Sequence, residues 1–463
     1  MKHYGNRVED LKIAYIGGGS RGWAWGLMSD LAEADDISGQ VALYDIDYEA
    51  AKANEIIGNK YNAIPESRSH WDYRAERSLQ AALTGADFVV ISILPGTFKE
   101  MESDVHAPEK YGIWQSVGDT VGPGGIIRAL RTIPMFEEIA KAIRDYCPKA
   151  WVINYTNPMT VCMRTLYKVF PQIKAFGCCH EVFSTQVLLA AALQEICGIE
   201  KPARKDIHVN VVGVNHYTWL TEAHYGNIDL METYWAFCEK YHDSGILAKN
   251  DDNWMNKHFS ADQKVKMDLF RKYGAIAAAG DRHLAEFNEG KLYLASPETA
   301  KSWGFALTPV SWRVENLHER LEKSRKLLSG EEPVALRRTG EEGVLQMRAL
   351  LGLCTWVTNV NVPNRGQIPN LPKDVVVETN AVFTADSVTP VLAGDLPMSI
   401  YGMISRIVAE QETVVEAGLE RNLEKAFVAF LNDPLVTIPA PEARKLFDEM
   451  VENTKEYLTE YHI

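Results

Sequence analysis

The sequence has no long basic run, no internal repeat and no low-complexity linker, and its formal charge is −14 over 463 residues. Nucleic acids and anionic membranes both require clustered Lys and Arg, so this absence argues against them and leaves a small molecule as the expected partner. No segment approaches the roughly 20 apolar residues needed to cross a bilayer. The opening stretch, MKHYGNRVEDLKIAYIGGG, is polar and then strand-like, without the apolar core and small-residue cleavage site of a secretory signal. Cysteine is sparse and odd in number: seven residues, with Cys178 and Cys179 adjacent, which opposes a full disulfide framework and points to a reducing cytoplasm.

What is present is a chain too long for one hydrophobic core, with 46% hydrophobic residues. It is expected to form two intimately packed domains, over residues 1–195 and 196–463. The first 200 or so residues alternate short β-rich runs with helical patterns, the signature of an α/β fold with a doubly wound, Rossmann-type parallel sheet. Strands are expected at 11–16, 40–44, 87–94, 150–155 and 173–179, with helices after Gly22, from Asp47, over 135–146 and from Pro158. The second half is read as a mixed α+β domain, with a strand at 207–214.

The strongest local motif is IGGGSRG, in which Gly17, Gly19 and Gly22 fit G-x-G-x-x-G between a strand and a helix. Such glycines let a turn tighten and the backbone approach a pyrophosphate, whose charge then sits at the helix N-terminus. The next strand ends in LYDID, so Asp45 can accept from a ribose 2′-hydroxyl and repel a 2′-phosphate, which favours NAD over NADP. The stretch GDTVGPGGIIRALR (118–131) can be read as an ordinary glycine-rich connection before a helix. Asn157, in NYTNP, is either a turn residue capping the next helix or a donor aimed at a ligand. Cys179 in AFGCCHEV and His216 in GVNHYTW are a small hydrophobe and a satisfied polar residue when each is taken alone. Paired, with open positions, they would suit a divalent metal that also binds substrate oxygens.

Taken together, the motifs resemble family 4 glycoside hydrolases. They are Gly17, Gly19 and Ser20; the T-x-GPGG loop, Thr120 to Gly125; Thr156 to Pro158; Cys179 to Val182; Asn215 and His216; and NRGQIPNLPKDVVVE at 364–378. The resemblance implies a lactate/malate dehydrogenase-like arrangement of domains and a glycosidase that uses NAD catalytically. In that scheme C3 is oxidised, C2 deprotonated, the aglycone eliminated, water added and C3 reduced again, with Mn2+ stabilising charge on the sugar oxygens. It further implies Cys179 and His216 as metal ligands, Asn157 as a contact to the sugar near C3, His180 as leaving-group acid and Asp281 as C2 base, with Tyr273 as the alternative base. The form C-H-E-V is similar to that of the α-galacturonidase subgroup. A uronide substrate would need a guanidinium for its carboxylate, for which Arg282 and Arg365 are the candidates, and Glu181 would contact a hydroxyl or orient a neighbour. A homodimer or homotetramer is the implied assembly. Two other readings are a 2-hydroxyacid dehydrogenase, which would accumulate NADH, and a non-catalytic NAD sensor.

Overall fold

The computed structural model describes residues 1–246 and 261–462. Parallel strands run over Arg7–Ile16, Ile37–Tyr44, Trp71–Glu76, Phe88–Ile91, Trp151–Asn154 and Lys174–Gly177. Counted along the chain, their order across the sheet is 3-2-1-4-5-6, the doubly wound arrangement of dinucleotide-binding domains. Helices cover both faces, so the central strands are apolar almost without interruption, as in Phe88–Ile91, which is wholly buried. The strand order reverses between Arg7–Ile16 and Phe88–Ile91, and the crevice at their carboxyl ends is where such sheets bind ligands.

The expected strands all appear, most with slightly shifted ends. The larger difference is the helix Gly122–Tyr146, which begins well before Met135 and takes the GPGG run as its first turn. Glycine is needed there for close approach. A Cβ at Gly124 would lie 2.6 Å from the Asp104 carbonyl oxygen, and one at Gly125 2.5 Å from the Thr120 carbonyl carbon.

The sheet does not end with its parallel strands. Trp356–Pro363 joins Lys174–Gly177 antiparallel, with Asn361 opposite Gly177, and Val376–Thr384 and Ser387–Pro390 follow outward. Segments from the second half of the sequence therefore complete the sheet of the first. A smaller antiparallel sheet contains His208–Val214, Tyr217–Tyr225, Ile228–Asp229 and Ile276–Ala277. Its main hairpin pairs Val214 with Tyr217, leaving Asn215 and His216 as the turn. His216 has φ 62°, a left-handed conformation that costs a non-glycine residue on the order of 1 kcal/mol. A histidine kept in that position, where glycine or asparagine is easier, indicates that its side chain is needed there.

The long helix Gly122–Tyr146 is nearly encased, packing on Met398–Glu420 and on the main sheet's helical layer. Inside it, Arg131 Nη1 and Nη2 donate to the two Asp104 carboxylate oxygens at 3.0 and 2.6 Å, and each side chain is 1% exposed. Removing one partner strands the other charge in a low-dielectric interior. Asp104→Ala is expected to lower unfolding free energy by about 3–5 kcal/mol, read as a reduced urea midpoint by circular dichroism. A loss under about 1 kcal/mol would show that the pair does not anchor this helix.

Candidate active site

Two clusters of chemistry meet at the carboxyl edge of the parallel sheet. The first is the glycine loop. Gly17 has φ 90°, and a Cβ there would lie 2.0 Å from the Ser92 carbonyl oxygen; a Cβ at Gly19 would lie 2.6 Å from that of Ala50. Asp45, at the end of the second strand, accepts from the Gly19 amide at 2.9 Å and from the Asp47 amide at 3.0 Å. Ser20 lies in the same turn, its amide donating to the Gly17 carbonyl at 3.0 Å. Asn54 braces the turn from below, donating to the carbonyls of Gly18 at 2.7 Å and Ser20 at 3.0 Å. Gly22 then opens the helix Trp23–Glu33, whose first turn has no side-chain cap. Close-packed glycines, an acid at the next strand end and uncapped helical amides together suit a dinucleotide.

The second cluster gathers Asp119, His216 and His283, whose donor atoms all lie within 4.8 Å of one another. A hydrogen-bond chain orients it. The Thr120 hydroxyl donates to Asp119 Oδ1 at 2.7 Å and so accepts from His216 Nδ1 at 3.1 Å. That fixes the proton of His216 on Nδ1 and leaves Nε2 with a free lone pair, the state of a metal-ligating imidazole. Burial, reinforced by the neighbouring His283, holds His216 down at about 3, so the ring is neutral at physiological pH. Burial opposes ionisation of Asp119, but the Arg128 guanidinium, His283, His216 and the Thr120 hydrogen bond together outweigh it and keep the carboxylate at about 2.

The rings of His216 and His283 are stacked, with centroids 3.8 Å apart and planes inclined by 28°. Imidazole lone pairs lie in the ring plane, so near-parallel rings direct them side by side and do not converge on one ion about 2 Å from each. The geometry favours His216 with Asp119 as ligands and leaves His283 beside them as an uncoordinated base. Burial pushes His283 down to about 4. Its Nδ1 has no hydrogen-bond partner, and its Nε2 stands 3.8 Å from Glu181 Oε1.

Cys179, expected as a ligand beside His216, is not among the three residues whose donor atoms gather within 4.8 Å. Its sulfur contacts the Asn215 amide, adjacent to His216, and lies near Glu378 and Glu181, while burial raises its thiol well above the ordinary range. A bound cation would reverse that shift and favour the thiolate. His180, next in sequence, holds Glu341 Oε1 at 3.0 Å through Nδ1. Burial works against its protonation, but the Glu341 hydrogen bond and charge outweigh this and lift it to about 9. The ring of His180 lies 6.4 Å from that of Trp23, the first residue of the helix after the glycine loop, so the two clusters adjoin. The Asn157 carbonyl, at the end of the fifth strand, accepts from Arg128 Nε at 3.2 Å.

Other expected residues have different neighbours. Asp281 is fully buried, and its carboxylate accepts from the amides of Val265 at 3.2 Å and Lys266 at 3.1 Å, capping the helix Lys264–Tyr273. His283, two positions on, is the residue of that stretch facing the cluster. Tyr273 sets its ring edge-on to Trp219 at 5.9 Å. Glu181 Oε2 accepts from the Gly280 amide at 2.7 Å, so this acid holds the turn leading to Asp281 and His283. Arg282 binds the Ser116 carbonyl, the Thr308 hydroxyl and the Ala306 carbonyl. Arg365 is exposed, ion-paired with Asp374, and lines a surface hollow with Arg164 and Tyr167. Asp119 and Arg128 lie within GDTVGPGGIIRALR and His283 two residues after Asp281, but no sequence signal distinguishes them. Glu341 and the partly buried Arg313, whose charge acts on Asp119, carry no motif at all.

Comparison with known proteins decides the family. Residues 12–195 match the model for family 4 glycosyl hydrolases, and residues 211–436 match its C-terminal domain. The chain belongs to the family 4 glycosyl hydrolases. Among its relatives is an α-galacturonidase of Thermoanaerobacterium saccharolyticum, 60% identical over the whole of both chains. Another is the α-galacturonidase of Bacillus subtilis, 53% identical over 96% of this chain and 98% of its own. The crystal structure of lplD from Bacillus subtilis superposes with a TM-score of 0.91 at 52% identity, covering 96% of this chain and all of that one. A 6-phospho-β-glucosidase of Thermotoga maritima, solved with manganese, NAD+ and glucose-6-phosphate, shares the fold at a TM-score of 0.76 and 21% identity, over 96% of this chain and 99% of that one. Family 4 enzymes are NAD-dependent glycosidases that depart from the two-carboxylate mechanism.

The ring geometry predicts how Mn2+ binding divides among these residues. In Mn2+ titrations followed by electron paramagnetic resonance, His216→Ala and Asp119→Asn should each weaken binding at least 100-fold. Thr120→Val, which removes the tautomer-setting hydroxyl, should weaken it about 10- to 100-fold. His283→Ala should change it less than about threefold; a loss equal to that of His216→Ala would make His283 a ligand.

Proposed function

We propose that this protein is an NAD- and Mn2+-dependent α-galacturonidase of the cytoplasm. The observation that supports this reading is a cluster of Asp119, His216 and His283 close to the dinucleotide loop, with His180 approaching Trp23 between them. A redox cofactor and a cation held side by side suit chemistry at adjacent sugar carbons. The specificity rests on the full-length relatives called α-galacturonidases and on local charge. In a protein of net charge −14, the charges of Arg128, Arg282 and Arg313 all act on Asp119. Such a positive enclave suits a uronate carboxylate, which guanidinium groups bind as paired hydrogen bonds.

When bound, NAD accepts the C3 hydride and later returns it, while the divalent ion polarises the sugar's C2 and C3 oxygens. His216 and Asp119 would hold the ion, with Cys179 as a further ligand. Asn157 orients the sugar at C3. Oxidation at C3 acidifies the C2 proton, which His283 removes at Nε2; Glu181 Oε1 then faces the imidazolium that forms. Asp281 acts at a distance, capping its helix and so fixing the turn from which His283 projects. As the C1–oxygen bond breaks by elimination, His180, kept protonated by Glu341, donates to the departing oxygen. Addition of water at C1 and return of the C2 proton and C3 hydride complete a hydrolysis with no net oxidation. Arg282, with Arg128 and Arg313, is assigned to the uronate side, whereas Arg365 lies with Asp374 on the hollow described above.

Among the described residues no helix is long and apolar enough to cross a membrane, and all seven cysteines are free. The free thiols support a reducing compartment. Exposed Leu392, Met398 and Val428 support burial of apolar surface in a homodimer or homotetramer.

A p-nitrophenyl α-galacturonide should be cleaved only when NAD and Mn2+ are both supplied, without accumulating NADH and with solvent deuterium entering C2. Turnover without NAD, or stoichiometric NADH, would reject this reading. His283→Ala should slow deuterium exchange at C2 by about 10²- to 10⁴-fold while NAD reduction in a single turnover persists. Retained exchange would remove His283 as the base.

A further inference from the structure

The helix Val310–Ser329 belongs to the second half of the chain, yet it lies against the glycine loop of the first. Arg320 makes the contact. Its Nη1 donates to the Arg21 carbonyl at 2.9 Å, across 299 positions of sequence, and its Nε donates to Asn316 Oδ1 at 2.8 Å. The guanidinium reaches the third glycine of the motif: a Cβ added at Gly22 would lie 2.4 Å from Nη1. Arg320 therefore sits at the entrance to the helix Trp23–Glu33, whose first turn has no side-chain cap.

Its charge balance distinguishes it from its neighbours. Further along the same helix, Arg325 pairs with Glu322 and Glu331, Lys326 with Glu322, and Lys323 with Glu332. Among the described residues, Arg320 has no carboxylate within ion-pair distance. A partly buried guanidinium beside an uncapped helix N-terminus brings positive charge near positive partial charge, an arrangement that an anion bound by both would convert into mutual attraction. Two turns upstream on the same helix, Arg313 acts on Asp119 in the other cluster.

We infer that Arg320 is a phosphate-binding residue for the dinucleotide, supplied by the C-terminal half of the chain to complete the pyrophosphate cradle beside the third glycine of the loop. The inference rests on the NAD-dependent reading, which the wild-type chain tests by binding NAD. Arg320 gives the pyrophosphate a fixed donor fork in place of water and links cofactor binding to the position of the helix Val310–Ser329. Glycine at position 22 then has a second role besides backbone approach, because any side chain there would occupy the place of the guanidinium.

The test uses the full-length protein and tryptophan fluorescence or calorimetry, with NAD and with adenosine, which lacks phosphate. Arg320→Met should weaken NAD binding about 10- to 100-fold, the loss expected for a charge-assisted contact, and leave adenosine binding within twofold. Gly22→Ala should weaken NAD to a similar extent, and Arg320→Lys, which keeps the charge without the fork, should fall between Arg320→Met and wild type. Equal losses for NAD and adenosine would mean that Arg320 only shapes the loop, and would overturn the assignment. Unchanged or tighter NAD binding by Arg320→Met would overturn it too, as expected of a guanidinium that merely blocks the cleft. Failure of the wild type to bind NAD would instead reject the reading on which the inference stands. Unfolding temperature without ligand checks that each variant is folded; should Arg320→Met not fold, Arg320→Lys carries the comparison alone, and NAD affinity equal to wild type would count against the inference.

Discussion

One short hydrogen-bond chain governs the site: a carboxylate, a threonine hydroxyl and an imidazole, with Thr120 set between Asp119 and His216. It joins the loop before the buried Gly122–Tyr146 helix to the tip of a hairpin in a different sheet. Because the hydroxyl has one proton to give, its direction decides the tautomer of His216 and so which nitrogen can take a cation. The left-handed backbone at His216 is tolerated because the chain holds the ring in this place. Loss of the link would leave a strained turn with nothing to recommend it.

The same economy explains the residues around the chain. Arg128 helps keep Asp119 ionised despite burial and, through Nε, touches the carbonyl of Asn157, so one guanidinium ties the acid to the end of the fifth strand. Glu181 ties the start of the helix after the cysteines to the turn carrying Asp281 and His283. Glu181 is thereby understood as a brace for the ring that faces it.

Most of the fold was legible in the sequence because parallel strands covered on both faces must be continuous apolar runs, and these stand out between polar helices. The glycine loop and Asp45 were equally plain, since backbone approach to a phosphate demands a residue without Cβ at fixed spacing. The GPGG run was harder. Glycine and proline read as loop by propensity, whereas here they begin a helix that must pass close to other backbone. Around Asp281 the sequence points to the right turn, but which side chain faces the cluster depends on how a short helix is rotated, and a shift of two residues separates a helix cap from the ring of His283. Arg313, Arg320 and Glu341 were out of reach altogether, because their roles come from contacts across hundreds of positions that no local pattern encodes.

The strand Lys174–Gly177, which delivers the cysteines, is not a boundary of the sheet, because Trp356–Pro363 lies along its outer side. The nucleotide-binding half is thus interwoven with chain made much later, and a fragment ending near position 195 would leave the outer margin of Lys174–Gly177 unpaired. Such a margin invites self-association. During synthesis the protein must therefore keep that strand from finding neighbours of its own kind until the last third of the polypeptide has emerged.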